Sequence, residues 1–524
     1  MKNSVYSERD EQELCRGGKV KSIHKKWVDF PSAAKALLTD LCIVLQLVLL
    51  ALLYAFFALK FRIFFYISIG LTALAGMHVF ICERDAQSKS SWLFLFLISF
   101  GCGYIVYILA DKRVCYGYDK RRYAKIYKGS KRYVSAFTVS GNSGTVKNDC
   151  EYIYNSGGYA TYQGTDLKYF SNASTLFENM LADLENATQF IFFEYFIVSE
   201  GALFEKLYDV LSRKAAGGVE VRFLCDDAGS QGVLKAKTKK RISNSGINFK
   251  VFQKLFSPFS FGLNYRDHRK IVVIDGKCGY VGGCNIADEC VNARPSGGGR
   301  WKDAGLRLEG AAVDGLTLTY IRQWELAVHE KTEFGKYLNK FEITQNTHNV
   351  VPYAGGPELD EALCRGVYSN IIAGARNKLY IMTPYLIPDG DMFAQLKAKA
   401  QSGVDVRIVL PEVPDYPFIY LVTRSNAERL QKYGVKIHYV SNTFLHSKVM
   451  LSENCMTVGS VNMDMRAFYL EFDNGVYTDD VQAMSAVESD FKTLFAENSE
   501  QPPVKHNIFV NIATAVLRIV SPLM

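Results

Sequence analysis

The strongest constraint in this chain is a repeat. One series runs FIFFEYFI (190–197), GGVEVRFL (217–224), GINFKVF (246–252) and NYRDHRKIVVIDGKCGYVGGCN (264–285). A second runs LYIMTPYLI (379–387), SGVDVRIVL (402–410), GVKIHYV (434–440) and FLHSKVMLSENCMTVGSVN (444–462). Each is a set of short β-branched and aromatic runs separated by stretches of helical periodicity, the pattern of an α/β architecture. Four matched elements in the same order imply two related lobes, 146–340 and 341–503, each a mixed sheet flanked by helices. The Ser/Gly/Asn-rich VSGNSGTVKND (139–149) reads as a loop before them.

The last element of each series carries the chemistry. Side chains at i and i+2 of a strand share a face, so His268 and Lys270 project together, as do His446 and Lys448. An apolar stretch then enters the core, Asp275-Gly276 signals a hairpin turn, and the returning strand ends in Gly282-x-x-Asn285. The second copy ends in Gly459-x-x-Asn462, with Glu453 where the first has Asp275 and one residue fewer before the glycine. A lone His-x-Lys is common on protein surfaces. Two copies with the same downstream Gly-x-x-Asn bring two histidines, two lysines and two asparagines to one cleft.

That set suits phosphodiester chemistry. One imidazole serves as nucleophile and the other as general acid, then base. Lys270, Lys448, Asn285 and Asn462 supply positive charge and donors where negative charge develops. Asp275 and Glu453 are the expected partners that orient the rings. No carboxylate cluster of metal-ligand type stands beside these motifs, so no metal and no cofactor is expected. Twelve cysteines without a CxxC pair fit small core residues in a reducing compartment. Glu194 and Asp473 are candidate supporting groups, Trp301 and Asp303 candidates for shaping the entrance. Tyr195 and Tyr385 stand at matched places and fit either the cleft or the core.

Three apolar runs, 41–59, 63–82 and 91–110, each have the roughly 20 residues that a membrane helix needs. They predict an all-helical membrane region at 41–110 with two or three spans, after a basic tail at 1–40. Nine Lys or Arg between 111 and 132 mark a basic juxtamembrane linker (111–145) and put the lobes on the cytoplasmic side. They also suit an anionic membrane surface. The net charge of +8 alone does not separate lipid from nucleic acid as a partner, but a soluble polyanion needs no membrane anchor, so no nucleic acid is expected. The end of the chain, 504–524, reads as an amphipathic helix. Asn507, Asn511, Thr514 and Arg518 fall on one face and Ile508, Ile512, Ala515 and Ile519 on the other. It suits either docking on the protein or lying in the membrane surface.

The paired motif resembles the signature of the phospholipase D superfamily, HxKx4D followed by Gly-x-x-Asn, present twice. Further blocks, among them FFEYFI, WKDAGLRLEG, TPYLIPDG, GSVNMDMRAF and RIVSPLM, resemble the bacterial cardiolipin synthase family over about residues 83 to 524. The resemblance implies a multi-pass enzyme of the bacterial cell membrane. It would join two phosphatidylglycerol molecules into cardiolipin plus glycerol through a phosphohistidine, with His268 as nucleophile and His446 as acid and base, or the reverse. Two other outcomes of the same site are a phospholipase D-type hydrolase and, because of Glu453 and the shortened turn, a catalytically impaired lipid-binding homologue. The family commonly has two amino-terminal spans, so the run at 41–59 and the tail before it are additions.

Overall fold

A computed structural model describes residues 62–82, 86–99, 103–110, 117–134, 139–140, 144–254, 265–294, 299–339, 347–359, 361–413, 415–502 and 508–521, with a few positions between 48 and 60. The basic tail 1–40 and most of the run 41–59 lie outside the described residues. Two compact units result: residues 1–78 with 95–104, and 79–94 with 105–524.

The second unit holds two seven-stranded sheets of identical plan. In the first lobe the strands are β1 (Thr165–Phe170), β2 (Phe190–Tyr195), β3 (Glu220–Asp226), β4 (Asn248–Phe252), β5 (Lys270–Ile274), β6 (Cys278–Gly282), the short β7 (Arg300–Lys302) and β8 (Gly305–Gly310). In the second they are β9 (Val350–Gly355), β10 (Lys378–Met382), β11 (Leu386–Ile387), β12 (Asp405–Pro411), β13 (Lys436–Val440), β14 (Thr443–Leu445), β15 (Val449–Ser452), β16 (Met456–Gly459), β17 (Met463–Asp464) and β18 (Asp473–Thr478). The sheet orders are β4-β3-β2-β5-β6-β8-β1 and β13-β12-β10-β15-β16-β18-β9. The first three strands of each are parallel and the rest antiparallel. The duplication read from sequence is thus a duplication of topology, strand for strand.

Buried runs such as FIFFEY in β2 are apolar on both faces because both faces are covered. Helices Ala173–Glu185 and Ala202–Ala216 cover the outside of the first sheet, and Leu363–Gly374 and Gly390–Gln401 the outside of the second. Helices Val313–Val328 and Val481–Glu497, which follow β8 and β18, contribute to one core shared by the two lobes. Trp324, Tyr320, Phe192, Val449 and Phe491 all belong to it.

Three boundaries differ from those read in the sequence. Helix Gly144–Gly157 precedes the first sheet in the chain, yet Val146, Cys150 and Ile153 pack into the second lobe's core beside Val351 and Leu363. Within the basic linker lies helix Gly117–Ser130, docked on the first lobe by buried Tyr123 and by a bond from Arg322 Nε to Ser130 Oγ at 2.9 Å. The third apolar run forms two helices, Ala86–Ile98 and Gly103–Ala110, of 13 and 8 residues. At 1.5 Å per residue neither reaches the roughly 30 Å of a hydrocarbon core, and the rings of Trp92 and Tyr107 meet edge to face at 4.9 Å. Among the described residues, one helix, Arg62–Ile81, is long and apolar enough to cross a membrane.

Candidate active site

His268-x-Lys270 leads into β5 and His446-x-Lys448 leads into β15, the central strands that bring both pairs to the contact between the lobes. All four side chains are buried. The contact is reciprocal. The backbone N–H of His268 donates to Phe472 O of the second lobe (2.9 Å), and that of His446 to Lys302 O of the first (2.8 Å). The next residue in each case is an aspartate that receives the ring. His268 Nδ1–H donates to Asp473 Oδ1 at 2.9 Å, and His446 Nδ1–H to Asp303 Oδ2 at 2.6 Å. Each lobe therefore orients the other's histidine, as an interface built on a twofold axis requires. A carboxylate only accepts, so it fixes the proton on Nδ1 and leaves Nε2 of a neutral ring with its lone pair free.

The lysines complete the pair. Lys270 Nζ donates to His268 O and Lys448 Nζ to His446 O, each turning back along its own strand. Burial, followed by repulsion from Lys448, lowers Lys270 to about 7. Burial outweighs Asp303 and lowers Lys448 to about 8. The same burial, with Lys270 next, keeps His268 well below the ordinary imidazole range. Burial and then Lys448 bring His446 down to about 4. An arriving phosphodiester anion would favour the charged forms of all four groups. Asn285 and Asn462 are buried as well. Asn285 Oδ1 accepts from Ile197 N–H at 3.4 Å, leaving its amide group as a donor, and Asn462 Oδ1 has no partner.

Asp275 and Glu453 are not brought to the histidines. Asp275 accepts from the backbone N–H groups of Thr188, Gln189 and Phe190 and from Thr188 Oγ1, all at 2.8–2.9 Å, and so closes the start of β2. Glu453 does the same for β10, accepting from Arg376 N at 2.6 Å and Lys378 N at 3.3 Å. The physical reason is strand length: seven residues at about 3.3 Å each carry Asp275 roughly 23 Å from His268. Asp275 (φ 52°) and Gly276 (φ 65°) form the left-handed turn expected of Asp-Gly. The missing residue of the second copy is absorbed here. β5 and β6 pair from Ile271↔Val281 to Ile274↔Cys278 around three loop residues. In the second copy Ser452 N–H bonds Cys455 O around two, while Gly459 N–H still bonds Lys448 O at the site end.

The carboxylates that do orient the rings carry a signal in the sequence. Gly305 lies opposite Gly282 and Gly475 opposite Gly459, so Asp303-x-Gly305 and Asp473-x-Gly475 are matched. Gly283 makes room for this arrangement: a Cβ there would lie 2.3 Å from Asp303 Oδ1 and 3.0 Å from His446 O. Its counterpart, Ser460, donates to Asp473 Oδ1 at 2.6 Å. Trp301 lies against His446 with ring centroids 5.1 Å apart, and the matched Glu471 approaches His268 Nδ1 at 3.8 Å. Glu194, opposite Ile271 in the neighbouring strand β2, is buried beside Asp267 and Arg269. Tyr195 is core, packed on Phe193, whereas Tyr385 bonds Asp415; the strand register matches Tyr195 to Thr383, not to Tyr385. His268, Glu471 and Asp473 offer three possible metal-ligand atoms within 4.8 Å of one another. Asp473 Oδ1 is already held by His268 and Ser460, and the Lys270 ammonium nearby opposes a divalent cation.

Two topologically identical lobes that exchange histidine partners across a twofold define a phospholipase D-like protein with both half-sites in one chain. The family described as "Cardiolipin synthase, PLD-like domain" matches residues 180–294 and 368–495. The chain is 30% identical over 468 residues to a cardiolipin synthase of Staphylococcus aureus, covering 85% of this chain and 93% of that one. It is 29% identical over 456 residues to a cardiolipin synthase of Clostridium perfringens (84% and 95%). It is 35% identical over 383 residues to an uncharacterized protein of Streptococcus mutans (72% and 82%). Among solved structures, the fold is similar to phosphatidylserine synthase of Haemophilus influenzae, with a TM-score of 0.56 and 13% identity over 73% of this chain and all of that one. The chain belongs to the cardiolipin synthase family.

Proposed function

We propose that this chain transfers a phosphatidyl group from one phosphatidylglycerol to the headgroup hydroxyl of another, forming cardiolipin and releasing glycerol. Membership of the family makes it a phospholipid phosphatidyltransferase. Nε2 of His268 attacks phosphorus, the P–O bond to the headgroup glycerol breaks, and His446 gives its Nε2 proton to the departing oxygen. His446 then takes the proton from the hydroxyl of a second phosphatidylglycerol, whose oxygen attacks phosphorus as the P–N bond breaks. Lys270, Lys448, Asn285 and Asn462 hold the non-bridging oxygens in both steps. The observation that carries the reading is the exchange of carboxylates, His268 to Asp473 and His446 to Asp303, which occupies Nδ1 of each ring and leaves Nε2 for the reaction. Helix Arg62–Ile81 supports attachment to the cell membrane, and the basic stretch 111–132 supports lobes on its cytoplasmic side.

The test is the full chain in phosphatidylglycerol vesicles with labelled lipid and a chelator. Cardiolipin and glycerol in equal amounts are expected. Phosphatidic acid as the main product identifies a hydrolase instead, and full activity of His268→Ala overturns the site.

A further inference from the structure

The C-terminal helix Ile508–Val520 is amphipathic, but it lies the wrong way round for a protein in water. Ile512, Val516 and Ile519, at i, i+4 and i+7, are 57, 45 and 40% exposed, while Thr514 from its polar side is buried and Arg518 is half-buried. The helix packs on helix Pro417–Gln431. That neighbour also shows apolar side chains outward, with Tyr416 at 60%, Phe418 at 52% and Leu421 at 37% exposure. A stripe of this kind is stable only if something apolar covers it.

The position of the neighbour says what that is. Helix Pro417–Gln431 follows β12, whose parallel neighbour β10 ends beside Lys448, so its first turn stands at the rim of the cleft. Leu386 N–H donates to Thr423 Oγ1 and Asn426 Nδ2 to Leu386 O, tying that helix to β11, which pairs with Met463 just after Asn462. By the duplicated topology its counterpart is helix Ala236–Asn244, which follows β3. A half-turn leaves height along its axis unchanged, so the two rim helices stand level on either side of the cleft. The counterpart is basic. Lys237 and Lys240 are exposed and no described carboxylate pairs with them. One rim is apolar and the other cationic, the two faces that an anionic phospholipid bilayer satisfies together. Ser91 Oγ of helix Ala86–Ile98 also donates to Ile519 O and ties the C-terminal helix to that helix.

We propose that the apolar face formed by Tyr416, Phe418, Leu421, Ile512, Val516 and Ile519 inserts into the bilayer at the boundary of headgroups and acyl chains. Phospholipid then reaches the histidines by lifting its headgroup into the cleft, with its chains still in the membrane. The proposal rests on the phospholipid-transfer reading for its purpose, but its physical test does not need turnover.

Full-length protein is reconstituted in phosphatidylglycerol/phosphatidylcholine vesicles containing acyl-brominated lipid. The four native tryptophans of the parent set the background. F418W and I512W are expected to show additional bromolipid quenching, and D209W, on an exposed helix face of the first lobe, none. No additional quenching at 418 and 512, or the same at 209, overturns the proposal. So does a fluorescence change that follows protein concentration and ignores bromolipid, which identifies a second copy as the occupant. The double variant F418S/I512S is expected to lose about tenfold or more in rate on vesicles, since it withdraws two apolar side chains from the bilayer. It should keep its rate on a short-chain, detergent-dispersed phosphatidylglycerol. Equal loss on both substrates overturns the proposal. A parent inactive on both substrates that still shows quenching at 418 and 512 leaves the bilayer contact standing and removes only the catalytic reading.

Discussion

The partner exchange predicts that Asp303 and Asp473, and not Asp275 and Glu453, set the rate. In Asp303→Asn the shape is kept, but the 2.6 Å bond from His446 Nδ1–H loses its charged acceptor. An amide can also turn its NH2 toward the ring and hold the wrong tautomer. A hydrogen bond to a charged group contributes about 1.5–3 kcal/mol. At about 1.36 kcal/mol per decade, the loss is roughly 10- to 150-fold in kcat. The same reasoning applies to Asp473→Asn through the 2.9 Å bond to His268. The two variants are expected to fail at different points. In single-turnover assays with labelled phosphatidylglycerol, D473N slows attack on phosphorus by His268, so phosphohistidine does not accumulate. D303N slows every step that needs a proton moved by His446. Thermal melts on the same preparations separate these effects from unfolding. Rates within about threefold of the parent for both variants would refute the reasoning, because a bond worth under about 0.7 kcal/mol does not orient a catalytic ring. Folded D275N or E453Q falling as far as D303N would refute it equally.

Other consequences follow from the same geometry. Asp275→Ala leaves three backbone N–H groups at the start of β2 without an acceptor, and should cost about 2–4 kcal/mol of stability with turnover per folded molecule nearly unchanged. Because the Asp275 carboxyl is held below its ordinary range by those N–H groups against the effect of burial, its contribution is present at neutral pH and is lost as pH falls through the depressed value. Acid melts of parent and variant should converge there. Gly283→Ala puts a methyl where Asp303 Oδ1 lies, and should cost well over about tenfold in kcat by driving Asp303 from His446 while the protein still folds. With Lys270 near 7 and Lys448 near 8, the KM for phosphatidylglycerol should rise as pH climbs from 7 to 9 and the ammonium groups lose their protons. A KM flat over that range would remove the lysines from phosphate binding.

The fold was legible because repetition is a property of the chain itself. Matched apolar runs with matched turns prescribe matched strands, and β2, β3, β4 and β5 pair as β10, β12, β13 and β15 do. The His-x-Lys pairs were legible for the same reason, although the histidines lie just before β5 and β15 and not within them. The partner of each ring was not legible in that way. Local spacing pointed to Asp275, because it follows His268 closely in the chain, but a strand separates residues in proportion to their spacing. The acceptors come from the other lobe, 205 residues away for Asp473 and 143 for Asp303, and only a superposition of the two D-x-G segments would have singled them out. The lobe boundary at 146 was not legible for a related reason: adjacency in sequence to the first sheet says nothing about which core the apolar face of helix Gly144–Gly157 meets.

A twofold site must still give its two histidines different work, and the departures from symmetry lie at matched positions. Gly283 leaves Asp303 to the ring of His446 and the backbone N–H of Ala304, whereas Ser460 gives Asp473 an additional hydroxyl donor. Burial opposes ionisation of both carboxyls. At Asp303, His446 and Lys448 outweigh it and hold the group below its ordinary range. At Asp473 burial prevails over Lys270 and Ser460, and the group rises to about 6. The more strongly ionised carboxylate thus faces His446, which favours the imidazolium there and the neutral nucleophile at His268. Ionised Asp473 is the stronger acceptor for Nδ1–H, so the rate of attack should fall as pH drops through about 6. Ser460→Ala removes a donor that stabilises the ionised form, so the acid limb of the single-turnover profile should move to higher pH, with the rate on the plateau little changed. A limb that stays in place, or moves the other way, would mean that Asp473 does not govern it and that the division of labour between the two histidines has another source.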